Sequence, residues 1–361
     1  VQGDSAGGHA EATLQSGGAV QIQLNGARLA WSGTTASGIA GRITARRGAE
    51  PWMAPQADLT IAEVAAPDLP LKDLTLHLAT GADQVQATLT ASTPGGPLTL
   101  AAALTGLQSG ALSGSLKGEI RPGQGLPPLS IDLAVAPRAG EPAPAADLTL
   151  KLASSGGRIA GTDLGAVKLA GSFVARLDAA AFSLAAAAPA ELTIARLAHG
   201  EILLPKGLKA SIAAQTAPLL RLDRSGPDAG RLQQAIAATL APLPLTLAGH
   251  AVSLGAGTLT GSGSYTADGG YNGTAHLAVA SLQAQQPVPL QAGKLEATAT
   301  AQAGAPLKVT ASLQALQAGA KPGWLVPVDL QATASLPPAG AATVDLQGSD
   351  AAKHLQFRAS G

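Results

Sequence analysis

Apolar residues occupy every second position in many short segments of this chain. The alternation is clear in 21–24, 74–78 and 148–152, and it recurs in 243–247 and 307–310. Because successive side chains of a β-strand point to opposite faces, each segment predicts a strand with Leu, Ile or Val on one face and mainly polar residues on the other. Gly and Pro punctuate the chain between the segments. The pattern therefore predicts many short antiparallel strands in a sheet with one apolar and one polar face.

A four-residue phrase, x-Leu-Thr-Leu/Ile, recurs along the chain. It begins at residues 58, 73, 97, 147, 191 and 244. The spacings are irregular, so the phrase does not define a strict structural repeat. Two interpretations stay open: weak internal self-similarity, or a phrase that simply suits strands in a chain rich in Ala and Leu.

Two dipeptides predict hairpin turns. Asn25-Gly26 and Asp268-Gly269 both readily adopt positive φ, as two-residue hairpin loops require. The second is the stronger prediction, because the residues before it (259–265) and after it (271–279) both alternate. We therefore expect a β-hairpin around Asp268-Gly269.

One segment, 228–241, predicts a short helix within an otherwise all-β chain. It starts with Asp, a residue that caps helix N-termini, and Pro242 follows it. Inside it, Leu232, Ile236 and Leu240 fall at i, i+4 and i+8, which would place them on one helix face.

Two Pro-rich stretches, 121–128 and 137–144, have the composition of loops. Together they mark a candidate joint at 121–146. The alternation is the same before and after this joint, so the chain predicts a single extended repetitive β region over 1–361, with the helical insert at 228–241.

Composition and charge exclude several classes of protein. The formal net charge is zero, 13% of residues are charged and 2% are aromatic. Nucleic-acid binders need a basic surface, and single-strand binders add aromatic platforms, so we expect no nucleic-acid partner. The chain has no Cys, which excludes a disulfide scaffold and a thiolate metal site. It begins with Val, so we expect a mature chain or a fragment, and it contains no predicted transmembrane helix, so any membrane anchor would lie outside this segment.

Motifs that carry catalysis are missing from the sequence. The six His residues are widely separated, and Gly-x-Ser-x-Gly, Walker and calcium-loop patterns do not occur. The segment 255–261 resembles a dinucleotide loop but has one residue too many before its last Gly. Most acidic residues stand singly at the predicted strand starts rather than as catalytic pairs. We therefore expect no enzyme activity, no metal and no cofactor.

The inward positions of the predicted strands hold Leu, Val, Ile and above all Ala. Compact sandwiches usually fill their cores with some large, often aromatic, side chains, and this chain offers few. One long curved sheet folded on itself fits this lining, and two sandwiches in series remain the alternative.

The chain resembles the periplasmic β-rich part of bacterial AsmA-like proteins, above all the YdbH-like branch of intermembrane phospholipid transport proteins, with TamB-like proteins close behind. The resemblance is carried by the x-Leu-Thr-Leu/Ile phrases, the segment 67–76 and the scarcity of aromatics. It implies a long antiparallel sheet that forms an elongated, taco-like hydrophobic groove. It also implies a bridge-like carrier of phospholipids between the inner and outer membranes of Gram-negative bacteria. A periplasmic location, an inner-membrane anchor outside this segment and an outer-membrane or lipoprotein partner would follow.

Moving acyl chains through water costs about 0.8 kcal/mol per CH₂, so a two-chain lipid faces a barrier on the order of 20 kcal/mol. A continuous apolar trough would remove most of that barrier. The residues predicted to line it are Leu74, Leu76, Leu78, Leu148, Leu150, Leu152, Leu245, Leu247, Leu277, Val279, Leu307 and Val309. Ordinary core positions are an equal interpretation of these residues.

Two other functions stay open. A structural or adhesive repetitive β protein of the cell surface would use closed sandwiches with dry cores. A scaffold for envelope protein assembly, as in TamB-like proteins, would use open edge strands to pair with client strands.

Overall fold

The computed structural model of the protein has an all-β, antiparallel architecture, as the alternation predicts. It describes residues 2–5, 8–15, 18–31, 34–46, 53–65, 70–81, 83–106, 111–122, 127–140, 144–159, 161–214, 217–226, 229–265, 270–285, 289–318, 326–337, 343–350 and 356–360. None of these residues is helical.

The chain divides into two compact units, Val1–Ile159 and Ala160–Gly361. The candidate joint at 121–146 lies inside the first unit, where the strand Leu129–Pro137 pairs on both of its edges.

In the first unit, each strand from β1 to β10 pairs antiparallel with the next strand along the chain, which makes an up-and-down meander. Its strands are β1 (Gln2–Ser5), β2 (Gly8–Leu14), β3 (Ala19–Trp31), β4 (Thr34–Arg46), β5 (Met53–Ala65), β6 (Leu71–Thr80), β7 (Gln84–Thr93), β8 (Gly96–Thr105), β9 (Ser113–Ile120), β10 (Leu129–Pro137), β11 (Ala145–Ser154) and β12 (Gly157–Ile159).

The strands of the second unit are β13 (Thr162–Leu164), β14 (Val167–Leu177), β15 (Ala181–Ala186), β16 (Ala190–Ile194), β17 (Leu197–His199), β18 (Ile202–Leu204), β19 (Leu208–Ile212), β20 (Leu220–Asp223), β21 (Leu232–Leu240), β22 (Leu243–Leu247), β23 (His250–Leu254), β24 (Gly257–Tyr265), β25 (Tyr271–Val279), β26 (Leu282–Ala284), β27 (Leu290–Ala292), β28 (Lys294–Ala301), β29 (Leu307–Ala318), β30 (Val328–Leu336), β31 (Thr343–Asp350) and β32 (Gln356–Ser360).

These strands form a main sheet and a smaller side sheet. In the main sheet β15 and β16 lie end to end along β14, and β19 and β20 lie end to end along β21. The sheet then continues through β24, β25, β28, β29, β30, β31 and β32. The side sheet runs β13, β17, β18, β22, β23, β26, β27, and β27 pairs with the last residues of β29.

The predicted helix at 228–241 is wrong: Leu232–Leu240 is strand β21, which pairs along its whole length with β24. The reason lies in the spacing, because positions four apart share a face in a strand as well as in a helix. Leu232, Ile236 and Leu240 are therefore equally consistent with either structure. The proposed cap, Asp228, lies outside the described residues.

One of the two predicted hairpins is confirmed. Strands β24 and β25 pair from Gly257↔Val279 to Tyr265↔Tyr271, although the Asp268-Gly269 turn itself lies outside the described residues. The Asn25-Gly26 hairpin is wrong, because both residues lie inside β3. Gly26 has φ 67° there, at a register shift between β3 and β4, so its positive φ serves a β-bulge rather than a turn.

Candidate functional site

Each unit carries a continuous apolar face, which the strand register makes visible. In the first unit two neighbouring rows take one residue from each of β2 to β11 and contain no charged or polar side chain. The first row is Ala10, Leu24, Gly41, Leu59, Leu76, Leu89, Leu100, Gly118, Ile131 and Leu152; the second is Ala12, Ile22, Ile43, Ala57, Leu78, Ala87, Ala102, Leu116, Leu133 and Leu150.

The main sheet of the second unit repeats this arrangement. Its first row is Leu169, Leu192, Ala210, Leu240, Gly257, Val279, Leu295, Leu313, Leu330 and Gly348; its second is Ala190, Ile212, Ala238, Leu259, Leu277, Ala297, Ala311, Ala332 and Leu346. A third row runs Ile236, Gly261, Ala275, Ala299, Val309, Ala334 and Val344.

Most of the residues predicted to line a groove fall on these faces. Leu74, Leu76, Leu78, Leu148, Leu150 and Leu152 share the apolar face of the first unit, and Leu277, Val279, Leu307 and Val309 share that of the second. Leu245 and Leu247 do not join them. They belong to β22 of the side sheet, where Leu245 pairs with Val252 and Leu247 is 48% exposed.

The two faces of the same strands differ in exposure. In β6, Leu76 and Leu78 are half-buried while Thr75 and His77 are exposed, and β11 shows the same contrast between Leu150 and its exposed neighbours. Few apolar side chains are completely enclosed, however. The one buried cluster, among the described residues, is Leu74, Ala91 and Leu98, with partly buried side chains around it. The apolar side chains are thus mostly half-buried, and the apolar face remains partly accessible to solvent.

Individual side chains agree with that description: Leu129 is 42% exposed and Leu336 is 41% exposed. No large side chain among the described residues is fully buried. Much apolar surface therefore stays within reach of a ligand or partner.

The opposite face of the first unit is polar and carries charges of alternating sign. One row crosses β2 to β11 through Glu11, Gln23, Arg42, Asp58, His77, Thr88, Ala101, Lys117, Asp132 and Lys151. Asp58 contacts His77 directly, and Lys117 Nζ lies 3.8 Å from Asp132 Oδ2. These exposed pairs keep one face of the sheet in water and add little stability individually.

Several residues of the apolar rows were not among the predicted lining. Leu59 and Leu192 lie in recurring Leu-Thr phrases, and Leu89, Leu259 and Leu313 lie in alternating segments, so the same signal could have found them. What the sequence lacks is the register that places Leu76 opposite Leu59 on one side and Leu89 on the other.

A cavity of about 360 Å³ opens on the apolar side of the second unit, between β19, β21, β24 and β25. Ile212, Leu220 and Ile236 form part of its lining, with Gly261 and Ala275. Tyr271 also lines it, and the Gln234 side-chain amide donates a hydrogen bond of 3.0 Å to the Tyr271 hydroxyl. The site is largely apolar, and its polar residues are Gln234, Tyr271, Ser262 and Thr274.

A second cavity, of about 500 Å³, is polar and includes Arg221, Arg231 and Gln233. Beside it Asp223 is buried, and its carboxylate accepts hydrogen bonds from Arg221 Nε and Gln233 Nε2, both at 2.9 Å. The buried carboxylate is thus paired with a cation on β20 and with an amide on β21, so its charge is compensated and its oxygens are hydrogen-bonded.

Two carboxylates have a lowered pKa, those of the exposed Asp178 and the half-buried Glu296. The backbone N–H groups of Ala181 and Ala180 donate to Asp178 Oδ1 at 2.6 and 2.8 Å, and these bonds hold the pKa of Asp178 below its usual range. A hydrogen bond from the Lys294 ammonium, reinforced by its charge, likewise lowers the pKa of Glu296. Asp178 closes the β14–β15 turn, and Glu296 shares β28 with Lys294, so both shifts have structural causes.

No metal-binding group was found among the described residues: nowhere do three or more His, Cys, Asp or Glu side chains come together. Within the same residues no helix is long and apolar enough to cross a membrane. Comparisons of the chain with protein-family models, with curated proteins and with solved structures found no match.

Proposed function

We propose that this chain is a non-enzymatic, bridge-like carrier of phospholipids whose acyl chains lie on the apolar sheet faces. The observation that carries the proposal is the unbroken apolar rows, which cross β2 to β11 in the first unit and β14 to β31 in the second. At a strand spacing of about 4.8 Å, a row that crosses this many strands is longer than an extended acyl chain.

The small lining supports sliding rather than tight capture. Ala and Gly are interspersed with Leu and Ile along the rows, so many positions of the lining carry small side chains. Each methylene kept out of water contributes about 0.8 kcal/mol wherever it lies along a uniform row, so a chain can move without a large change in free energy. Polar headgroups would remain in water.

The proposal places the protein in the periplasm of a Gram-negative envelope, between the two membranes. Its tether would be an inner-membrane segment outside this chain, and its partner at the far end an outer-membrane protein or lipoprotein. The resemblance to AsmA-like, YdbH-like proteins supports this setting. The lack of charge in the apolar rows supports the lipid cargo.

The test begins with the wild-type chain, purified from a Gram-negative host and extracted with organic solvent. We expect stoichiometric phospholipid by mass spectrometry. Leu76→Asp and Leu150→Asp place a charge within the apolar rows, and we expect both to lose the lipid and to block transport in cells. Thr75→Asp and Thr149→Asp are matched controls, because they add the same charge to the exposed face of the same strands.

Circular dichroism should show that all four variants keep their strand content. Folded Leu76→Asp and Leu150→Asp proteins with wild-type lipid content and transport would contradict the proposal. Folded wild-type protein without lipid would also contradict it, and would favour a structural or adhesive role or a scaffold for envelope protein assembly.

A further inference from the structure

Three glycines on the apolar face of the second unit leave positions without side chains beside the 360 Å³ cavity. Gly261 lies in the third apolar row, and Gly263 pairs directly with Gly273 in the adjacent strand. Side chains are thus missing at neighbouring positions where most of the rows have Ala, Val or Leu. Of the three, Gly261 lies in the lining of the cavity, together with Ile212, Leu220 and Ile236.

The ring of Tyr271 occupies part of the space that these glycines leave. A Cβ added at Gly263 or at Gly273 would approach Tyr271 Cζ to 2.8 Å, which is closer than carbon atoms pack. The ring therefore lies directly over the glycine pair, and Tyr265 supports it at a centroid distance of 4.7 Å. Glycine at both positions is what lets the aromatic side chain form a wall of the cavity.

The Tyr271 hydroxyl is a polar group in a largely apolar setting. Its oxygen accepts the hydrogen bond from Gln234 Nε2 at 3.0 Å. A phenol that accepts one hydrogen bond still has its own O–H to donate. With Gln234 as the donor, the O–H of Tyr271 remains available to a hydrogen-bond acceptor in the cavity.

From this geometry we infer that the cavity is a resting site for a single acyl chain, with the ester or carboxyl oxygen at its polar end bound by Tyr271. The inference rests on the proposed function and names one place on the apolar face where a lipid halts. The apolar walls take the hydrocarbon, and the Gln234–Tyr271 pair takes the oxygen.

The volume of the cavity favours a single acyl chain over a two-chain phospholipid. At about 360 Å³ it lies at the lower end of the range of small-molecule sites, roughly 300–1,000 Å³. A two-chain phospholipid with its headgroup needs more room than that. The lining has no charged side chain, so it provides no counter-ion for a headgroup phosphate.

Photo-cross-linking locates the site directly. The full chain, freed of lipid, would be incubated with a palmitate analogue that carries a diazirine near the end of its hydrocarbon, irradiated and digested. We expect the label on peptides that contain residues 212–236 and 261–275. Equilibrium dialysis with radiolabelled palmitate then measures affinity in the variants.

Ala275→Leu fills the cavity floor and should weaken palmitate binding at least about tenfold, because apolar contact is replaced by steric overlap. Gly261→Ala is a milder filling variant, since its new Cβ would lie 3.3 Å from Thr274 O and 3.6 Å from Ala275. Tyr271→Phe keeps the ring and removes the donor, so palmitate binding should fall about fivefold. The control, Ala332→Leu, makes the same enlargement on the apolar face away from the cavity, and should bind like wild type.

Label spread along both apolar faces, or unchanged affinity in folded Ala275→Leu and Gly261→Ala proteins, would overturn the resting site. The phospholipid content of the natively purified protein is a separate measurement. Native lipid without label at 212–236 and 261–275 therefore refutes this inference alone, whereas the lack of any native lipid refutes the proposed function.

Discussion

The two units build the same kind of apolar face from different strand connections. In the first unit each strand from β1 to β10 pairs with the next. In the second the chain leaves the main sheet three times, at 195–207, 241–256 and 280–293, to add hairpins to the side sheet. It returns each time in a register that keeps the row apolar, through Ala210, Gly257 and Leu295.

This difference teaches that the face, not the connection, is the feature that both units share. An insertion at the end of a strand leaves the rows intact as long as the returning strand keeps its alternation in phase. The second unit gains a side sheet in this way, while the first stays a plain meander with one buried cluster.

The largest expected effect comes from the buried cluster of the first unit. Leu98 is 5% exposed, so Leu98→Ala should lower the free energy of unfolding by about 2–4 kcal/mol through lost burial and the cavity left behind. Urea unfolding followed by circular dichroism measures the change.

The matched control is Leu247→Ala in the side sheet of the second unit. Because Leu247 is 48% exposed, the same truncation should change the free energy of unfolding by less than about 1 kcal/mol. Equal losses in the two variants would mean that the cluster around Leu98 does not hold the first unit together.

Glycines in the apolar rows should respond differently in the two units. Gly41 in the first unit has φ 133°, and a Cβ there would collide with the carbonyl oxygen of Asp58. Gly41→Ala should therefore destabilise by about 1–3 kcal/mol. Gly261→Ala in the second unit meets its nearest atom at 3.3 Å and should stay within about 0.5 kcal/mol of wild type.

Thermal unfolding of both glycine variants, together with the wild type, gives this comparison. A stable Gly41→Ala protein would show that β4 can relax around a new side chain, and the proposed glycine requirement of that row would be wrong.

The smallest expected effect concerns two hairpin turns. In the second unit Asp178 closes the β14–β15 turn through its carboxylate. Its pKa is lowered on folding, so its contribution is present above the unfolded pKa, near 3.8, and is lost as pH falls through the lower folded pKa. In the first unit Thr93 closes the β7–β8 turn with an uncharged hydroxyl, which bonds Gly96 O at 2.8 Å.

The unfolding temperatures of wild type, Asp178→Asn and Thr93→Val are measured from neutral pH to below the folded-state pKa of Asp178. They test whether the contribution of each turn depends on pH. We expect the difference in unfolding temperature between wild type and Asp178→Asn to disappear in acid. The difference between wild type and Thr93→Val should persist. A gap for Asp178→Asn that does not depend on pH would rule out the carboxylate as its source.

Local patterns were enough to predict the strand class and the sidedness of the sheet. Alternation around Leu76 and Leu150 depends only on the period of a β-strand, and the β24–β25 hairpin depends on a short turn between alternating segments. The helix over 228–241 failed because a spacing of four residues satisfies both periods. Pairing with β24, a long-range contact, decided between them.

Long-range register also explains what the sequence could not show about the site. Leu245 and Leu277 follow equally good alternation, yet one lies in the side sheet and the other in the main sheet. The Tyr271 ring can lie beside the cavity because Gly263 pairs with Gly273, which leaves space above both. Neither fact can be read from residues close in sequence.

The alternating charges on the polar face of the first unit have a consequence for folding fidelity. A slip of two residues between neighbouring strands keeps every apolar side chain on its own side, so the hydrophobic pattern alone cannot detect it. The charges can. In the native pairing Asp132 faces Lys117, whereas a two-residue slip of β10 in one direction would set it against Glu119, and two carboxylates would repel. The polar row thus disfavours a two-residue register slip that the apolar face of the meander would tolerate.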